Sequence, residues 1–244
     1  MSIPYAELRA VFIDAGNTLF AMDYALMSET LEELGVHLAP GVLQRAEAAA
    51  RPAVSSRVAA GRSTESSELF RFYMQELLSH ALGEAHELPD GLLERWVARL
   101  QAPDARARLW TRVPRGTREW LRTLRAAQLR LAVVSNSDGT IEDALRRTNL
   151  REYVDHVVDS GTVGFEKPDP RIFRHALERV RVEPGEALHV GDLYAVDVLG
   201  ARAAGVHALL LDPHGDWRGV ECEVAQDLEE VTHRILSVRA QART

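Results

Sequence analysis

Lysine is nearly missing from this chain: among its 29 basic residues only Lys167 is a lysine, and the others are arginines. A compact ammonium on a flexible stem enters tight sites that a planar guanidinium cannot, so position 167 is a candidate for such a site. Cysteine is equally scarce. Cys222 stands alone, which excludes a disulfide within the chain and suits a reducing compartment. No apolar run approaches the roughly 18 residues that a membrane span needs, and the opening Met1-Ser2-Ile3-Pro4-Tyr5-Ala6-Glu7 has no basic leader region. The expectation is a cytoplasmic protein, neither exported nor anchored. Positive charge is in deficit overall: the net charge is −7, which argues against nucleic acid or an anionic membrane as the main partner. What remains is an ordinary globular composition, 244 residues with 46% apolar content, enough for a domain with a sizeable insertion.

Charge is locally uneven, with Arg106, Arg108, Arg112, Arg115, Arg118, Arg122, Arg125 and Arg130 in one stretch. Arg118, Arg122 and Arg125 sit at helical spacing opposite Leu121 and Leu124, so a solvated helix face is expected here rather than an anion-collecting surface.

The texture of the chain changes twice. Leu8 to Asp14 reads as a short buried strand ending in an acid and followed at once by the turn former Ala15-Gly16-Asn17. From Tyr24 to Leu100 there are only helical patterns, over 24–35, 40–60, 64–82 and 89–100. In the third, Leu69, Phe72, Tyr73 and Leu77 form the stripe of a small bundle core. After Pro114 helices and strands alternate: helices at 116–127, 140–149, 169–181, 194–204 and 226–238, and strands at 130–135, 154–158, 187–191 and 206–211. That alternation predicts an α/β fold with a Rossmann-like parallel sheet. The first strand joins it only across the helical segment, so the simplest organisation is a core of 1–19 and 109–244 interrupted by an all-helical insertion of 20–108.

In such a sheet, ligands gather beyond the carboxyl ends of the strands. Asp14 ends the first strand, Ser135-Asn136 follows Leu131-Ala132-Val133-Val134, Lys167 follows the short third strand, and Asp192 follows His189-Val190-Gly191 with Asp197 five residues on. Two carboxylates, an ammonium and a hydroxyl around one point suit a hard divalent cation and a phosphoryl group, and Mg²⁺ takes one or two carboxylates while leaving room for phosphate oxygens. Asp14 is placed to attack phosphorus, Thr18 and Ser135 to donate to the transferring oxygens, and Lys167 to neutralise developing charge. Each residue also has a plainer reading, because strand-end acids and serines commonly cap turns and helices. His189 is expected to be a satisfied core histidine, Cys222 inert, and Trp217 a loop-packing residue.

The stretches Val11-Phe12-Ile13-Asp14-Ala15-Gly16-Asn17-Thr18-Leu19, Val133-Val134-Ser135-Asn136-Ser137, Lys167-Pro168-Asp169-Pro170 and Gly191-Asp192 through Asp197 occur in order, with Ile172-Phe173, Gly200, Ala201 and Ala204-Gly205 beside them. Together they resemble the haloacid dehalogenase superfamily, in its subgroup with a helical cap inserted after the first motif. The resemblance implies an aspartyl-phosphate on Asp14, and Mg²⁺ held by the side chains of Asp14 and Asp192 and the backbone carbonyl of Gly16. It further implies substrate contacts from Ser135, Asn136 and Lys167, and Asp197 supporting both the metal's waters and Lys167. The expected activity is phosphohydrolysis of a small phosphorylated metabolite, with the cap setting substrate choice.

One departure from the family pattern concerns Gly16. Phosphatases of this family usually carry a second aspartate there, which protonates the leaving group and then activates water. A general acid of this kind is worth ~10²–10⁴ in rate. Asp23, Asn17, a cap residue or the substrate itself are the possible replacements. The alternative readings are a weak or inactive member that binds a phosphate ligand or a protein, and, less well supported, a 2-haloacid dehalogenase. Metal-independent dehalogenases carry an aromatic residue at the position of Gly16 and lack the Gly191-Asp192 pair. Phosphonate cleavage needs a cap lysine, and the segment 20–108 has none.

Overall fold

A computed structural model describes residues 2–83 and 89–241. The chain divides into two compact units, Met1–Leu19 with Val113–Thr244, and Phe20–Arg112.

The chain enters the first unit through β1 (Ala10–Ile13), whose four side chains are all buried. It then runs through α1 (Tyr24–Glu32), α2 (Pro40–Ala59), α3 (Ser67–Leu82), α4 (Leu92–Gln101) and α5 (Pro103–Leu109) of the helical unit. Local chemistry sets several of these starts. Asp23 accepts from Leu26 N at 3.2 Å to cap α1, and Ser66 accepts from Leu69 N at 3.1 Å to cap α3. Pro40 and Pro103 open α2 and α5, where a missing N–H costs nothing.

Leu31, Leu43, Met74, Leu77 and Trp96 fill the core of this unit, and the indole Nε1 of Trp96 donates to Thr30 Oγ1 at 3.0 Å. Of the expected α3 stripe, Leu69, Tyr73 and Leu77 are buried. Phe72 is only half-buried, with the Arg57 guanidinium over its ring at 4.3 Å from the centroid. An antiparallel bridge between Ala21 and Arg112 closes the unit, so the stretch after α4 belongs with the helices as far as Arg112.

The return passage is α6 (Thr117–Ala126), β2 (Arg130–Ser135), α7 (Ile141–Arg147), β3 (His156–Asp159), α8 (Ser160–Val163), α9 (Pro170–Val180), β4 (Ala187–Gly191), α10 (Leu199–Ala203), β5 (His207–Leu211), β6 (Glu223–Ala225) and α11 (Leu228–Gln241). Leu121 and Leu124 are the buried face of α6. On its outer face Arg118 and Arg125 donate to the carbonyls of Thr148 and Glu152, at 2.7 and 2.6 Å, so these arginines tie down neighbouring segments. Val154 and Asp155 lie outside β3, whose paired register with β2 begins at His156.

Among the described residues the sheet has six strands in the order β3-β2-β1-β4-β5-β6, and every neighbouring pair is parallel. β1 pairs with β2 on one side, Ile13 against Val133, and with β4 on the other, Ile13 against Val190. The strand order reverses between β1 and β4. Helices diverge to opposite faces at such a reversal and leave a crevice at the carboxyl edge. The expected helix 194–204 is modified: Tyr194–Val198 forms a π-helical turn before α10 begins. β6, absent from the sequence reading, is only three residues long and lies at the sheet edge.

Candidate active site

The crevice holds the polar residues that the sequence placed at strand ends. Asp14 N donates to Val190 O at 2.9 Å, one residue beyond the Ile13–Val190 pair, so the ladder carries the Asp14 side chain out at the carboxyl edge of the sheet. Asp192 leaves the adjacent strand just after Gly191, and its Oδ2 accepts from Asn17 Nδ2 at 3.3 Å. Both carboxylates are buried.

Lys167 reaches the same point from the segment between α8 and α9. Its side chain is 1% exposed, and Nζ donates to Asp14 Oδ1 at 2.5 Å and to Asp197 Oδ1 at 2.7 Å. The loop that delivers it is held by Asn136, whose Nδ2 donates to Lys167 O at 2.8 Å while its Oδ1 accepts from Lys167 N at 2.7 Å. The Asn136 amide is therefore engaged in positioning the lysine. The Lys167–Pro168 peptide is cis. Gly200 lets α10 approach this turn, since a Cβ there would lie 2.8 Å from Pro168 Cα.

Asp197 sits on the π-helical turn and is anchored three ways: by Lys167, by Leu193 N at 2.9 Å, and by His189 Nε2 at 2.9 Å. His189 is fully buried and packs edge-on to Phe173 at 4.9 Å, so the core histidine of the sequence reading also orients an acid of the site. A Cβ on Gly191 would fall 2.2 Å from Asp197 Cγ. Glycine in the Gly191-Asp192 pair thus makes room for Asp197.

Asp159 and Ser160 went unnoticed in the sequence. The Asp159 carboxylate accepts from Gly139 N, Ile141 N and Gly161 N at 3.1, 3.2 and 3.0 Å, and the Ser160 hydroxyl bonds both the N–H and the carbonyl of Ser137. These contacts shape the loop after Ser135 and cap α7, a task that neither Ser135 nor Thr140 performs. The available signal was an acid at a strand end followed by Ser-Gly. Ser135 Oγ makes a long bond of 3.3 Å to Asn136 O, and Thr18 Oγ1 is buried with no hydrogen-bond partner among the described residues. A buried unpaired hydroxyl costs about 1–3 kcal/mol, so Thr18 suits a ligand oxygen.

Charge makes the same point. Burial pushes the Asp14 carboxyl up, Lys167 opposes that and Asp197 adds to it, and the outcome is about 6. Burial acts upward on Asp197 too, but Lys167 and His189 outweigh it and hold Asp197 below the usual carboxylate range. Burial would lower the Lys167 ammonium, but the two carboxylates raise it instead. One ammonium shared by two acids stabilises one fully and the other incompletely, which explains why Lys167 and Asp14 both shift upward. Burial lowers His189 below its ordinary value despite the Asp197 contact, and against that carboxylate the protonated ring nitrogen is Nε2.

Asp192, at the end of the adjacent strand and bonded to Asn17, adds a third carboxylate to the two that share the Lys167 ammonium, a surplus of acids that a divalent cation would offset. Among the described residues no group of three His, Cys, Asp or Glu side chains is arranged to hold a metal. That argues against a closed zinc-type site. Two carboxylates and a backbone carbonyl on a tight turn suit Mg²⁺, which retains water and phosphate oxygens in its remaining positions.

A family model for haloacid dehalogenase-like hydrolases matches residues 8–205. The chain belongs to this family. Haloacid dehalogenase-like hydrolase domain-containing protein 3 of Mus musculus is 50% identical over 96 residues, 39% of this chain and 38% of that protein. Glyceraldehyde 3-phosphate phosphatase of Methanothermobacter thermautotrophicus is 35% identical over 118 residues, 44% of this chain and 52% of that enzyme. The chain thus spans about two fifths to one half of the length of these relatives. The magnesium-bound HAD-hydrolase YfnB of Bacillus subtilis shares the fold, with a TM-score of 0.65 over 93% of this chain and 98% of that one at 20% identity.

Proposed function

We propose that this haloacid dehalogenase-like hydrolase is a Mg²⁺-dependent phosphohydrolase that transfers a phosphoryl group from a small metabolite to Asp14 and then to water. The carrying observation is the buried Asp14–Lys167–Asp197 cluster beside Asp192 at the switch point of the sheet. Asp14 and Asp192, with the carbonyl of Gly16, would hold the cation, which supplies Lewis-acid stabilisation of phosphoryl oxygens.

The chain's own residues do the rest. Asp14 is the nucleophile, and its Oδ1 is oriented by Lys167 so that the other oxygen is left for attack. Lys167 neutralises charge on the transferring oxygens, Asp197 and Asn136 hold Lys167, and the hydroxyls of Thr18 and Ser135 donate to the phosphoryl group. The phosphatase among the similar proteins supports a phosphorylated metabolite as substrate.

Gly16 favours a second reading, a protein that binds a phosphate ligand without turnover. A phosphatase panel with Mg²⁺ separates the two. Release of phosphate by wild type and its loss in Asp14→Asn is the expected result, whereas ligand binding without release from any phosphate selects the second reading. Calorimetry tests the cation: Asp192→Asn is expected to weaken Mg²⁺ binding by ~10-fold or more, and unchanged affinity removes Asp192 from the site.

A further inference from the structure

We infer that the phosphohydrolase proposed above acts on phosphates whose leaving group departs as a stable anion, acyl and aryl phosphates above all, and that the phosphoryl group then accumulates on Asp14. The inference rests on the phosphohydrolase reading and concerns where protons are available in the site.

Among the described residues, none of those named for the site supplies a ready acid beside Asp14. Two residues beyond it stands Gly16, partly exposed on the turn and without a side chain. The Asn17 amide is no acid, and its Nδ2 is directed at Asp192. Lys167 gives two of its N–H bonds to Asp14 and Asp197, so surrendering a proton would leave both buried carboxylates without the ammonium they share. His189 is wholly buried with Nε2 on Asp197. Thr18 and Ser135 offer hydroxyls, which donate hydrogen bonds but are far too weakly acidic to transfer a proton. Asp23, the first replacement suggested by the sequence, caps α1 through Leu26 N at 3.2 Å and pairs with Arg108 at 3.5 Å, both inside the helical unit.

The chemistry then runs in two steps. An Asp14 oxygen bonds to phosphorus as the bond from phosphorus to the leaving oxygen breaks, and that oxygen keeps the electron pair and departs unprotonated. Water next attacks phosphorus and Asp14 recovers its electron pair as a carboxylate. Both protons of the water leave with the phosphate as H2PO4⁻, which then gives one of them up to bulk solvent. The first step is fast for a carboxylate or phenolate and slow for an alkoxide, a much stronger base. The second step has no general base whatever the substrate, so it becomes limiting once the first is fast. Glyceraldehyde 3-phosphate, named for the Methanothermobacter relative, is an alkyl phosphate and falls in the slow class.

The test uses the intact wild-type protein with Mg²⁺ and acetyl, p-nitrophenyl, phenyl and glycerol 3-phosphates. A general acid is worth ~10²–10⁴, so kcat/KM is expected to fall by at least ~10² from acetyl to glycerol phosphate. A burst of nitrophenol close to one per protein is expected, together with acid-stable phosphate on Asp14 that is missing in Asp14→Asn. In a folded Gly16→Asp protein the alkyl phosphate is expected to gain up to ~10²-fold relative to acetyl phosphate. Equal kcat/KM for all four phosphates with no burst overturns the inference and leaves the phosphohydrolase reading standing. Phosphate release from none of them, with wild type matching Asp14→Asn, overturns both.

Discussion

Lys167 and Gly191 both pack closely against Asp197. The ammonium of Lys167 lies between two carboxylate oxygens at 2.5 and 2.7 Å with almost no exposure, a space matched to a point charge and not to a planar fork. Lys167→Arg keeps the charge, so circular dichroism should be unchanged while kcat/KM drops by ~10² or more. Near wild-type turnover in the folded variant would leave the chain's preference for arginine as the sole account of its lone lysine. Gly191→Ala puts a methyl group 2.2 Å from Asp197 Cγ, and Asp197 cannot retreat without loosening Lys167, His189 and Leu193. A loss of about 1–3 kcal/mol in urea unfolding is expected, as for other overpacked interiors. An unchanged midpoint would show that Asp197 has another place to go.

At the scale of elements, one buried charge holds three helices of the helical unit together. Glu47 on α2 is fully buried, accepts two bonds from Arg51 one turn on at 2.8 and 2.7 Å, and receives the hydroxyls of Tyr24 from α1 and Tyr73 from α3. Burial pushes this carboxyl up, but Arg51 and the two tyrosines outweigh it and hold it below its ordinary value of 4.5. A depressed acid contributes stability that is complete above its unfolded value and is lost as pH falls through the folded one. Wild type should therefore lose stability as the pH is lowered below 4.5, and part of that slope should vanish in Glu47→Gln. At neutral pH the same variant strands Arg51 and should cost about 3–5 kcal/mol. Parallel pH profiles for the two proteins would show that Glu47 is not the group responsible. Helices of this size were legible from apolar spacing and caps, whereas α5, α8 and β6 are too short to show a period. The π-helical turn was illegible for another reason: it carries Asp197, which is held by Lys167 thirty residues away and by His189 on β4, partners that no local propensity encodes.

For the whole molecule, the position of β1 is the main structural fact. It is separated from its partners β2 and β4 by more than a hundred residues, yet it lies between them and is buried on both faces. Central strands open only with global unfolding. In native-state hydrogen exchange the amides of Val11–Ile13, Leu131–Val134 and Leu188–Val190 are expected to be the slowest, and those of the turns at 137–140 and 164–167 much faster. Protection in β1 no greater than in the turns would contradict its central place.

The sequence by itself determined the fold class, the helical stretch after β1, and the strand-end positions of Asp14, Ser135 and Asp192. All of these follow from period, turn chemistry and the rule that parallel sheets present ligands at their carboxyl edge. Only tertiary structure decided which polar groups meet. Asn136 turned from the crevice to the Lys167 backbone, Asp159 rather than a serine capped α7, and Asp23 was engaged by its own helix and Arg108. The physical reason is that a carboxylate or amide is satisfied by whichever partner packing brings within about 3 Å, and partners such as Asn136 and Lys167, thirty-one residues apart, become neighbours only when the sheet assembles.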